Sequence, residues 1–133
     1  MSALHEEICM PQPSQPNHTD DDAPLSGLVV IDFTRVLSGP YCTRLLADMG
    51  ATVYKIERPG EGDETRYILP QLNPERSDQS AYFARLNAGK RSIAINFAHP
   101  QARELIHEMV SKADVVIENF SPGVMAKYGL DEP

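Results

Sequence analysis

Three apolar runs in this 133-residue chain each lead to an acid and then give way to a polar turn. Leu28-Val29-Val30-Ile31-Asp32-Phe33 is followed by Thr34-Arg35-Val36-Leu37-Ser38, and Thr52-Val53-Tyr54-Lys55-Ile56-Glu57 by Arg58-Pro59-Gly60-Glu61-Gly62-Asp63. Asp114-Val115-Val116-Ile117-Glu118 is followed by Asn119-Phe120-Ser121-Pro122-Gly123. If the runs are parallel strands, the turns lie at their carboxyl ends, where open α/β sheets bind ligands. A nicotinamide cofactor is the first chemistry to test there, and it needs G-x-G-x-x-G between the first strand and its helix, so that backbone can approach a pyrophosphate. That turn holds only Gly39, while Gly60-Glu61-Gly62 follows the second strand, so Glu57 as a ribose-binding acid is half a fingerprint. Metal chemistry has less support. His99 and His107 lack Cys, His or acid partners at ligand spacing and are expected at the surface, and His5 and His18 in solvent.

The elements that position these turns follow from periodicity. The first run is short and β-branched, as expected of a strand buried on both faces. Gly39-Pro40 supplies a helix start, because an early proline gives up an N–H that has no partner there. Cys42, Leu45, Leu46 and Met49 fall at i, i+3, i+4 and i+7, an apolar stripe expected to face the sheet, and Gly50 stands where a helix ends. Two strands joined through one helix make a right-handed unit. Residues 58 to 77 form a long loop, which inside a compact domain is usually functional. Tyr82, Phe83 and Leu86 mark a short helical turn. Lys90 to Phe97 alternates, with Ile93, Ile95 and Phe97 on one face of a strand; Lys90 and Arg91 read equally as ligand contacts or as a solvated strand entrance. Pro100 opens a helix whose stripe is Ala102, Leu105, Ile106, Met109 and Val110, and Val124 to Tyr128 begins a last helical turn. The sum is an α/β fold, a Rossmann-like doubly wound and mostly parallel sheet. The chain stops at Asp131-Glu132-Pro133 without a closing element, so it is expected to be the N-terminal part of a larger domain and not a complete enzyme.

Composition narrows the setting. Residues 1–24 carry five acids, no Lys or Arg, and four prolines, so of the formal charge of -7 only -2 belongs to residues 25–133. Such a tail cannot bury enough to fold, and a disordered extension is expected there. The near-neutral body lacks the basic face that nucleic acid requires, yet its scattered cations suit an anionic ligand locally. No apolar run reaches the length of a membrane span, and no hydrophobic signal core is visible, so cytoplasm is the expected compartment. Cys9 and Cys42 are the only cysteines, one in the tail and one on the helix stripe, which fits a reducing compartment and makes Cys42 a packing residue.

Several blocks, in order over residues 24 to 130, resemble the class III CoA-transferases, the formyl-CoA transferase and carnitine CoA-transferase group. They include Pro24-Leu25-Ser26-Gly27, Asp32 to Thr43, Leu46 to Ala51, Lys55 to Gly60, Gly62-Asp63 and Thr65-Arg66. Tyr82-Phe83, Asn87, Lys90 to Ile93 and Ala113 to Met125 continue the likeness. The resemblance implies that coenzyme A, as acyl-CoA substrate, is held at these strand ends; the histidine spacing leaves no metal expected. It gives Leu37 and Ser38 after the first strand and Arg58 after the second as CoA contacts. Ile95, Asn96, Phe97 and Ala98 match after the third strand, and Asn119, Phe120 and Ser121 after the fourth. Lys127 stands where relatives often have arginine, whereas Ala98 stands where they often have a cation. Arg58 and Lys127 suit phosphates, and Phe97 or Phe120 an adenine.

The resemblance further implies an aspartate nucleophile, which carries covalent intermediates as CoA passes between an acyl-CoA and a small carboxylic acid. That aspartate is expected beyond residue 133, with Asp32 left to orient a neighbouring turn, so that this chain contains no catalytic residue. Homodimers of interlinked rings are the family's assembly, and the isolated chain is expected to be poorly stable and inactive. Two alternatives remain open: an α-methylacyl-CoA racemase, disfavoured by the length of the Tyr82 to Asn87 segment, and a truncated, non-catalytic nucleotide-binding fragment.

Overall fold

The structure, a computed structural model, describes residues 22–131. Most of the expected extension, residues 1–21, lies outside the described residues, as do residues 132–133. The elements follow in the order β1 (Val29–Asp32), α1 (Ser38–Asp48), β2 (Thr52–Glu57), a 3-10 turn (Glu64–Tyr67), α2 (Ala81–Asn87), β3 (Arg91–Ala94), α3 (Ala102–Val110), β4 (Val115–Ile117) and α4 (Val124–Lys127). The strands form one sheet in the order β3-β2-β1-β4, with every pairing parallel. Val30 stands opposite both Val53 and Val115. The fold is thus the doubly wound α/β arrangement expected from the alternation of runs.

Both faces of the sheet are covered, which is why its strands read as continuous apolar runs. On one face Ile31, Phe33, Ile56 and Ile95 meet Ala102 and Ile106 of α3, with Ile93 and Phe97 packed beside them. On the other, Val30, Ala51 and Val53 meet Leu46 and Ala47 of α1. Full burial of such a side chain is worth about 1.5–3 kcal/mol, so Ile31 and Ile106, each 2% exposed, are principal contributors.

The α1 helix corrects the expected stripe. Cys42, Leu45 and Met49 are exposed and Leu46 only half-buried, while Gly39, Pro40 and Thr43 are buried. The reason lies in β1. Its end is polar, and Thr43 donates to Asp32 Oδ2 at 2.6 Å, so the helix turns its small and hydroxylated face inward. A Cβ on Gly39 would sit 2.3 Å from Thr34 Cβ, and only glycine permits that approach. Gly50 follows the helix at φ 100, as its sequence position suggested, and a Cβ there would meet Ala23. Leu105, expected on the buried stripe of α3, is 48% exposed. In α2, Ser80 accepts from the N–H groups of Tyr82 and Phe83 at the helix start. Among the described residues no helix is long and apolar enough to cross a membrane.

Candidate functional site

Because β2 and β3 lie to one side of β1 and β4 to the other, the connections diverge at β1, and a crevice opens at the carboxyl ends of the strands. The crevice is a cavity of about 610 Å3, within the usual range for a small-molecule site. Every strand contributes the turn that follows it. Leu37 and Ser38 line it after β1 and Arg58 after β2. Ile95, Asn96, Phe97 and Ala98 line it after β3, and Asn119, Phe120 and Ser121 after β4. The geometry therefore brings together ten of the eleven positions singled out from the sequence. Lys127 stands apart from this lining. It is exposed on α4 with its ammonium 5.5 Å from the Tyr128 ring, and Tyr128 does reach the cavity.

The floor is polar and internally compensated. Asp32 Oδ1 accepts from Thr34 N–H at 2.8 Å and from the Thr34 hydroxyl at 2.5 Å. Its other oxygen takes Thr43 and, at 3.0 Å, the Lys90 ammonium. Lys90 also donates to Pro40 O at 2.9 Å and Asn87 Oδ1 at 2.8 Å, and so ties both α1 and α2 to β1. Its side chain is 1% exposed, which corrects the reading of a solvated strand entrance. Burial pushes its pKa down to about 8 despite the neighbouring carboxylate.

Lys55 donates to Thr34 O at 2.8 Å and stands 3.0 Å from Asp63 Oδ2. Asp63 Oδ1 accepts from Thr65 N–H and the Thr65 hydroxyl, starting the 3-10 turn. Burial pushes the Asp63 carboxyl up, and Thr65 with Lys55 outweighs this and holds it below its ordinary value. Glu57 behaves alike: burial raises it, and hydrogen bonds from Arg66, Ser92 and Asp63 N–H bring it lower. Arg66 is itself stacked on Phe83, 3.8 Å from the ring centroid, which anchors the long loop to α2. The acids that end the strands thus hold turns in place, as the sequence suggested for Asp32.

The rim is where charge is available. Arg35 pairs with Glu64, and Arg58 with Glu61 at 2.7 Å, both on the exposed surface. Among the described residues α1 has no side-chain cap and no acid in its first turn, which leaves the positive end of its dipole facing Leu37 and Ser38. Phe97 packs edge-on against Phe33 at 5.9 Å and Tyr128 at 5.5 Å, an aromatic wall beside the β3 turn. Tyr128, Val36 and Lys55 line the cavity without having been singled out as site residues, and Glu57, weighed only as a ribose-binding acid, lines it too. Lys55 and Glu57 carried a signal, two charges in a strand central to the sheet. Among the described residues no cluster of three His, Cys, Asp or Glu is placed to hold a metal.

Known proteins place this chain in a lineage. A model of CoA-transferase family III matches residues 25–133. An acetyl-CoA:oxalate CoA-transferase from Acetobacter aceti is 49% identical over 108 residues, covering 81% of this chain and 27% of that protein. A succinyl-CoA:glutarate CoA-transferase from Mus musculus is 42% identical over 111 residues, covering 84% of this chain and 25% of that protein. The crystal structure of a CAIB/BAIF family protein from Brucella suis superposes with a TM-score of 0.74 at 48% identity, over 83% of this chain and 29% of that one. The chain spans about a quarter of the length of the curated relatives it matches. With the match running from the turn before β1 to the last residue, this chain belongs to CoA-transferase family III.

Proposed function

We propose that this chain forms the CoA-holding part of a transferase that moves CoA between an acyl-CoA and a small carboxylic acid. The observation that carries the reading is the cavity into which the turns after β1, β2, β3 and β4 converge, in a chain whose family is defined by CoA transfer. Leu37, Ser38 and the start of α1 hold a phosphate, and Arg58 exchanges Glu61 for another. Ile95, Asn96, Phe97 and Ala98 form one wall for the adenine, with Phe120 and Ser121 opposite. Lys127 serves a phosphate outside the cavity proper.

The reaction itself needs a carboxylate whose oxygen attacks the thioester carbonyl, breaking the C–S bond and leaving CoA thiolate in place. None of the three buried acids near the cavity is free to make that attack, since Asp32 is engaged by Thr34, Thr43 and Lys90, Glu57 by Arg66, Ser92 and the Asp63 N–H, and Asp63 by Thr65 and Lys55. The nucleophilic aspartate therefore belongs, in this reading, outside residues 1–133, and residues 25–133 alone bind without turning over. A cytoplasmic homodimer of the full-length enzyme is part of the same proposal. The relatives named for oxalate and for glutarate differ in their acids while sharing this segment, which supports a segment that serves CoA and leaves the choice of acid elsewhere.

Calorimetric titration of CoA into the 133-residue chain tests the reading. Saturable heat is expected, weakened at least about tenfold by Arg58→Ala, the worth of one charge-assisted hydrogen bond. Tighter binding of NAD than of CoA overturns it, and a transferase rate from this chain alone overturns the placing of the nucleophile.

A further inference from the structure

The turn between β1 and α1 is tied to the turn after β4 by the side chain of Asn119. Asn119, which follows β4, accepts from Arg35 N–H through Oδ1 at 2.8 Å and donates from Nδ2 to the Arg35 carbonyl at 2.9 Å. An amide so placed imitates the peptide of a neighbouring strand. It adds one rung beyond the last β1–β4 backbone bond, from Phe33 N–H to Ile117 O at 2.9 Å. The next residue is strained. Val36 has φ 71, and among the described residues it is the one non-glycine in the left-handed region, where a β-branched side chain is poorly tolerated. Strain of this kind persists only where its surroundings hold it. Leu37 and Ser38, the two residues that follow Val36, line the cavity.

We infer that Asn119 is a positioning residue of the CoA site: its amide pins the Arg35 peptide and so keeps Val36 in the left-handed turn that presents Leu37, Ser38 and the start of α1 to the ligand. The inference rests on the CoA reading above and alters one part of it. The resemblance gives Asn119 as a ligand contact, whereas here its side-chain amide acts through Arg35. Asn119 is exposed, so truncating it opens no buried hole.

The test compares CoA titrations of the wild-type chain, Asn119→Ala, Val36→Gly and the double variant. Asn119→Ala is expected to weaken CoA about tenfold, the effect of losing a paired hydrogen bond at a shaped turn. Val36→Gly removes the strain, so the double variant is expected to recover to within about threefold of wild type, because glycine adopts positive φ without a pin. A double variant no tighter than Asn119→Ala overturns the inference in favour of direct contact, and an Asn119→Ala chain that binds like wild type overturns any role. Hydrogen exchange at the Arg35 amide gives a readout free of ligand: slow in wild type, fast in Asn119→Ala. Fast exchange in the wild-type chain overturns the pin even if a variant fails to fold. Slow exchange in a wild-type chain that does not bind CoA leaves the pin standing and sinks the CoA reading instead.

Discussion

Replacing Lys90 by methionine strips a buried carboxylate of its counter-charge. Asp32 is fully buried and the Lys90 side chain 1% exposed, so neither water nor salt substitutes for the lost ammonium. Three hydrogen bonds go with it, to Asp32, Pro40 O and Asn87, and two of them anchor α1, which covers one face of the sheet, and α2, which packs against α1. Breaking a buried pair by removing one partner costs about 3–5 kcal/mol. Burial already works against the ammonium, as its lowered pKa shows, which places the expected loss near the lower end, about 3 kcal/mol. That is a large share of the roughly 5–15 kcal/mol that keeps a domain folded. Urea denaturation of Lys90→Met, Asp32→Asn and the double variant measures it. The double variant is expected to lie closer to wild type than Lys90→Met, because it removes the orphaned charge. A Lys90→Met chain within about 1 kcal/mol of wild type, the worth of an exposed pair, refutes the reasoning.

The same lysine sets a pH dependence. Its folded pKa of about 8 lies below its ordinary 10.5, so between these values the unfolded chain binds the extra proton and stability rises with pH. Urea midpoints at pH 8 and pH 10 should show that rise in wild type, and a markedly smaller one in Lys90→Met. Gly39→Ala drives a methyl to 2.3 Å from Thr34 Cβ, and a loss of about 1–3 kcal/mol from overpacking is expected in thermal denaturation. Glu64→Gln frees Arg35 at the rim from its exposed partner, so CoA affinity in a calorimetric titration should rise by about two- to fivefold, a gain that added salt diminishes.

The fold was legible because its signals are local. Val29 to Ile31 and Val115 to Ile117 are apolar on both faces, Thr52 to Glu57 is a short β-branched stretch, Ile93 to Phe97 alternates, and helical stretches between them require parallel pairing. What stayed hidden depends on distant partners. The amphipathic pattern of α1 does not say which face meets the sheet. That is decided by Asp32 and Thr34, whose polarity draws in Thr43 and whose bulk demands Gly39. Lys90 reads equally as a ligand contact or as a solvated strand entrance until the fold brings it to a carboxylate 58 residues earlier. The cavity-lining turns followed from the strand-end rule together with the family resemblance. Val36 and Tyr128 did not, since a left-handed valine leaves no mark in a single sequence, and Tyr128 reaches the cavity only through its packing on Phe97.

The most direct measurement is a crystal structure of the chain grown with CoA. The adenine is expected beside Phe97 and Phe120, with the diphosphate between the start of α1 and Arg58. CoA density elsewhere on the surface, with the crevice between the strand ends empty or filled by the chain's own side chains, contradicts that placement.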